Sequence, residues 1–253
     1  RMPFAAHLDE LRGRLIRSVV VVFALFLVGF SFLSEPLRVF FLQPHRTAVA
    51  ELADRVPPFV VNDRLSVLSA LEPVFFDLKI AMMVALLVGL PYLLFQLWGF
   101  IAAGLHKKER KAVTSFLPWS LLLALGGMSF GYWIAIPLLL EFLYSMVDQE
   151  LMIQAYRLAD YFSLFLMFTF ALALVFQLPM ILLGLQAAGF VDAPFLRKYR
   201  RHFILGAFVV GAVFTPPEPF SQFLMALPTV FLYEVGIFLV ALQGRKASAK
   251  SSS

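Results

Sequence analysis

Two carboxylates in basic company are the residues best suited to select a partner. Glu10 stands in His7-Leu8-Asp9-Glu10-Leu11-Arg12-Gly13-Arg14-Leu15, and Glu109 in Lys107-Lys108-Glu109-Arg110-Lys111. A carboxylate presents two acceptor oxygens to a planar guanidinium, a bidentate match that favours arginine over lysine. Charged hydrogen bonds of about 1.5–3 kcal/mol each would give selectivity rather than tight binding. Each stretch also has a plainer reading. Glu10 and Arg14 are four residues apart and can pair along one helix face for about 0.2–0.5 kcal/mol. Glu109 can be a neutralising acid in a solvated basic loop. Composition leaves both readings open.

Two further polar spots interrupt apolar sequence. Gln177 precedes Pro179 inside a long apolar run. A mid-helix amide of this kind is a hydrogen-bond donor and acceptor between helices, worth about 0.6 kcal/mol on average. Its partner lies either within this chain or on a partner helix. Thr215-Pro216-Pro217-Glu218-Pro219 reads as a stiff turn in which Glu218 has a structural role.

Other chemistries lack their residues. The chain has no cysteine, which excludes disulfides and thiolate metal sites. It has no G-x-x-x-x-G-K-[ST] and no H-E-x-x-H. His7, His45, His106 and His202 lie on separate segments. We therefore expect no catalytic residue, metal or cofactor, and no nucleic-acid partner.

The elements that must position the two acids are membrane helices. The 253 residues are 61% hydrophobic and 15% charged, against about 45–50% and 25% in soluble domains. The 29 phenylalanines fit lipid-facing helices. A span needs about 20 apolar residues. The runs predict an all-α integral membrane protein with six transmembrane helices, at about 15–33, 75–100, 113–140, 161–187, 202–215 and 222–243. The first run is too long for a signal-peptide core and no A-x-A site directly follows it. Spans five and six are short or interrupted, and Gly127-x-x-x-Gly131 in span three allows close helix approach. With both termini on one side, 15 of the 21 Lys and Arg residues fall on that side. The positive-inside rule makes it cytoplasmic. Segments 34–74, 141–160 and 216–221 are then outer loops, and 101–112 and 188–201 are cytoplasmic loops. Both acids thus fall at the same membrane face.

In order along the chain, H-L-D-E-L-R-G-R-L, Q-L-W-G-F-I-A-A-G-L-H-K-K-E-R and R-K-Y-R-R-H-F-I-L-G-A-F-V-V-G-A-V-F-T-P-P-E-P-F-S-Q resemble the TatC family. This family is the multispanning core of the twin-arginine protein translocase. The resemblance implies a concave bundle in the bacterial cytoplasmic membrane that binds paired-arginine signal peptides of folded precursors. Transport is driven by the proton-motive force, and the single-span TatA and TatB proteins, lipid and further copies of the chain are its partners. It implies signal-peptide contacts at Glu10, Glu109, Arg12, Arg14, Phe100 and Lys108, and puts Pro44 and Glu218 in periplasmic structure. Three positions depart from the family pattern: Gln177 where Glu is usual, Ala103 where Pro is usual, and Glu218 where Asp is common. Gln177 cannot titrate, which removes any proton-coupled role there. The competing class, a small-solute secondary transporter, would show two-fold hydropathy symmetry, and no such symmetry is evident.

Overall fold

The computed structural model describes residues 4–32, 34–54, 64–103, 116–147, 155–216 and 218–251. Every regular element among them is helical. They are α1 (Phe4–Phe32), α2 (Ser34–Ala53), α3 (Glu72–Ala103), α4 (Leu117–Phe130), a π turn (Gly131–Ala135), α5 (Ile136–Ser145), α6 (Leu158–Val175), α7 (Leu178–Ala187), α8 (Ala193–Lys198), α9 (Arg200–Phe214) and α10 (Pro219–Ser251). Among the described residues five stretches are long and apolar enough to cross a membrane: Asp9–Phe32, Glu72–Phe100, Leu117–Ser145, Leu158–Ala187 and Pro219–Gly244. At 15 residues, α9 is about 22 Å long, well short of the roughly 30 Å hydrocarbon layer. The segment following α1, expected to be a long loop, contains the 20-residue helix α2.

Prolines set the breaks. The Ile136 N–H bonds back five residues to the Gly131 carbonyl, which widens the turn just before Pro137. A proline removes one helical donor and its ring crowds the carbonyl four residues back, and a π turn relieves that crowding. In the fourth span the chain breaks at Phe176 and Gln177, so Pro179 falls in the first turn of α7. There its missing N–H would have had no helical partner anyway.

Close helix contact follows the small residues. A Cβ on Gly127 would sit 2.7 Å from Phe176 Cγ, and one on Gly131 would sit 3.2 Å from Leu172 Cδ1. The glycine pair thus lets α4 and the π turn lie against the α6–α7 break. The core is more aromatic than a purely lipid-facing use of phenylalanine would allow. Phe41, Phe162, Phe165 and Phe168 are fully buried among α2, α5 and α6, with Phe41 and Phe165 edge to face at 5.3 Å. Such pairs contribute about 0.5–1.5 kcal/mol beyond their buried area.

The loops at the far end of α3 are tied down. Ser66 N–H donates to Tyr156 O at 2.7 Å, and Leu158 N–H donates to Ser66 O at 3.0 Å. Beside this bridge Arg157 pairs with the buried Glu72 at 2.5 Å, and that hydrogen bond raises the arginine further above its ordinary value. Burial pushes the neighbouring Tyr156 phenol up to about 12.

Candidate functional site

The polar end of the α1–α3 pair carries the first candidate. Arg14 Nε and Nη2 both donate to Glu10 Oε1, at 3.0 and 2.7 Å. Arg14 Nη1 reaches across to Gln96 Oε1 on α3 at 3.1 Å, and Gln96 Nε2 donates to Tyr92 OH at 2.7 Å. The guanidinium lies over Gly99, where a Cβ would stand 2.4 Å from Nη1. Only a residue without a side chain leaves that space. One arginine therefore fixes Glu10 to α3 through a planar fork that a lysine lacks.

The second oxygen of the carboxylate is left over. Glu10 Oε2 is shielded from solvent and has no hydrogen-bond partner among the described residues, although the side chain as a whole keeps 22% of its surface. A buried carboxylate oxygen without a donor is costly, and an added donor beside it would be welcome. Arg12 is exposed, and Phe100 is half-buried near the end of α3. Lys108 and Glu109 lie outside the described residues. Helix α3 ends at Ala103, at the same end of the pair as Glu10.

The intramembrane polar spot is satisfied within the chain. Gln177 Nε2 donates to Ser120 O at 3.0 Å, and Ser120 Oγ donates to Gln177 Oε1. This reciprocal pair joins the α6–α7 break to α4, the in-chain alternative of the two left open by the sequence. Glu218 caps α10, accepting from Phe220 N–H at 2.8 Å and Ser221 N–H at 2.7 Å. Its longer arm still reaches two of the otherwise unpaired N–H groups of the first turn. Pro44 lies inside α2. Among the described residues no three His, Asp or Glu side chains converge to hold a metal.

Sequence reasoning missed Gln96, Tyr92 and Gly99 as the seat of Arg14. The available signal was an amide within an apolar run, four residues after a tyrosine. It also left Glu234 without a partner. Arg200, at the start of α9, meets it at 2.5 Å.

The family description Sec-independent protein translocase protein (TatC) matches residues 6–228. The chain belongs to the TatC family. It is 31% identical to TatCy of Bacillus subtilis, over all of this chain and 94% of that one. It is 35% identical to TatC of Aquifex aeolicus over 97% of both chains, and 33% identical to TatC of Escherichia coli K12 over 93% of this chain and 87% of that one. Two crystal structures of the twin arginine translocase receptor TatC, one of them in DDM, superpose with TM-scores of 0.76 and 0.79 at 34% and 33% identity. They cover 92% of this chain and 97% and 99% of theirs. The chain is thus an all-helical membrane protein of the Sec-independent translocase. Its Glu10–Arg14–Gln96 cluster belongs to the first two of the three stretches that carry the family resemblance.

Proposed function

We propose that this TatC protein is the receptor and scaffold that binds paired-arginine signal peptides of folded precursors, with Glu10 and Glu109 as the two acidic contacts. The observation that carries the reading is the Glu10 carboxylate. One oxygen is held by Arg14 while the other is shielded and, among the described residues, unpartnered. A signal-peptide guanidinium would complete it. Arg14 positions the acid, Arg12 and Lys108 set the local field, and Phe100 supplies an apolar wall. A receptor of this kind needs no catalytic group or cofactor. Translocation draws on the proton-motive force and on single-span TatA and TatB partners, with further copies of the chain in the assembly.

In this reading the protein is a multi-pass component of the bacterial cytoplasmic membrane with both termini cytoplasmic. Helix α9 is then a sixth, short crossing, accommodated by local thinning of the bilayer. If α9 did not cross, the basic C-terminus would lie on the other side, against the charge bias.

The test is binding of a signal peptide carrying Arg-Arg, against the same peptide carrying Lys-Lys, to the purified chain in detergent. A preference for Arg-Arg, lost in Glu10→Ala/Glu109→Ala, is expected. Equal binding of both peptides by the folded wild-type chain would sink the two-acid receptor.

A further inference from the structure

The tether between Arg14 and α3 depends on which end of one amide faces the arginine. A guanidinium carries only donors, so it can be met only by the oxygen of Gln96. That oxygen accepts from Arg14 Nη1 at 3.1 Å. The nitrogen of the same amide then needs an acceptor of its own, because Gln96 is only 6% exposed and is shut off from bulk water. The Tyr92 hydroxyl supplies it, accepting from Gln96 Nε2 at 2.7 Å. Tyr92, Gln96 and Gly99 are spaced four and three apart on α3, so they stand on one face of the helix. Arg14 of α1 lies over the last of them.

No hydrocarbon could take the place of that hydroxyl. Without it, the amide in its present orientation buries a donor that has no partner, which is costly. Turning the amide over does not help. Its NH2 group would then face the N–H groups of Arg14, and its oxygen would be left unpartnered. The remaining course is for the Gln96 side chain to leave the buried face, and Arg14 then loses its acceptor on α3. Tyr92 therefore acts on Arg14 through Gln96.

We propose that Tyr92 is a positioning residue for arginine recognition. By satisfying Gln96 Nε2 it keeps Gln96 Oε1 on Arg14, and through Arg14 it holds the Glu10 carboxylate ready for an incoming guanidinium. The proposal rests on the receptor reading and adds to it a residue one helical turn further from the end of α3 than Gln96.

Two readouts on the full chain in detergent test it. The first uses no peptide: phenylglyoxal, which modifies accessible arginines, is added and its rate of reaction at Arg14 is followed by mass spectrometry. The second is the ratio of Arg-Arg to Lys-Lys signal-peptide binding. Tyr92→Phe keeps the ring and removes only the hydroxyl. It should raise the Arg14 labelling rate and lower the peptide ratio, each about two- to tenfold, the worth of one hydrogen bond. Gln96→Glu separates this role from one in packing. A carboxylate has no N–H to satisfy, and its charged bond to Arg14 is roughly twice as strong. In that background Tyr92→Phe should change neither readout. Unchanged Arg14 labelling in Tyr92→Phe, or an equal rise with and without Gln96→Glu, would overturn the proposal whatever the peptides do. So would raised labelling with an unchanged peptide ratio. A wild-type chain that binds the two peptides equally would sink the receptor reading, and the recognition role with it, even where labelling shows that Tyr92 holds Gln96 in place.

Discussion

The Tyr132 hydroxyl donates to the Phe40 carbonyl at 2.7 Å across two helices, and Phe40 is four residues before Pro44. In a regular helix residue 44 would supply that bond, but proline has no N–H. The π turn carrying Tyr132 substitutes for it. Beside it the Tyr161 hydroxyl reaches Phe41 O at 2.6 Å. Two tyrosines from separate spans thus serve the carbonyls of one proline-containing helix.

The first prediction follows from this arrangement. Tyr132→Phe leaves the Phe40 carbonyl without a donor and is expected to cost about 1–3 kcal/mol, the usual penalty for an unsatisfied buried polar group. In a Pro44→Ala background the helix regains its own donor, and the same substitution should cost far less. Chemical unfolding of the four proteins in detergent measures the coupling. Equal costs in the two backgrounds would refute the substitution of one donor for another.

The Gly127 contact gives a sharper steric test. A Cβ there lies 2.7 and 2.9 Å from Cγ and Cβ of Phe176, atoms too close to the backbone to swing aside. Gly127→Ala should destabilise by about 1–3 kcal/mol, as overpacking does. Its neighbour Gly126 would place a Cβ 4.0 Å from the same ring, an ordinary contact. Gly126→Ala should be neutral, or stabilising by up to about 1 kcal/mol through helix propensity. Melting temperatures of the two variants should move in different directions, or one should not move at all.

These contacts also mark what could be read in the sequence. The apolar runs predicted the long helices because span length and composition are local properties. Gly127 and Gly131 were legible as a close approach because small residues one turn apart have few other uses in an apolar helix. The Glu10–Arg14 pair was legible from its four-residue spacing. What Arg14 reaches beyond Glu10 was not, because Gln96 is 82 residues away and the register of α1 on α3 decides the meeting. Tyr132 and Phe40, 92 residues apart, are the same case. Helix α2 was hidden by Pro44 and by its mixed charge, both of which argue locally for a loop. Its helix is held by tyrosines from other spans rather than by its own propensity.

Gly99 separates geometry from charge at the proposed receptor site. Gly99→Ala puts a methyl group 2.4 Å from Arg14 Nη1. The end of a flexible side chain can move, so the fold should survive with little change in melting temperature. The guanidinium should then leave Gln96 and release Glu10 from its fixed place. Preference for an Arg-Arg over a Lys-Lys signal peptide should fall although no charge has been altered. A melting temperature near wild type with undiminished preference would show that the tether to α3 does not orient Glu10.

The Gln177–Ser120 pair fixes what a polar group at the α6–α7 break does in this chain. Both amide atoms are used by one residue of α4, so the contact holds two spans together without any ionisable group. Its worth follows from the average for hydrogen bonds between membrane helices, about 0.6 kcal/mol with a maximum near 1.7. Gln177→Leu and Ser120→Ala should each destabilise modestly, and the double variant should cost less than their sum by about that coupling. Gln177→Glu supplies an acceptor for Ser120 Oγ at the same place but adds a proton site, so its stability should change more with pH than that of the Gln177 protein. Unfolding curves for these variants at neutral and mildly acidic pH measure both effects. A coupling near zero would mean that the amide's role lies with a partner helix rather than with α4.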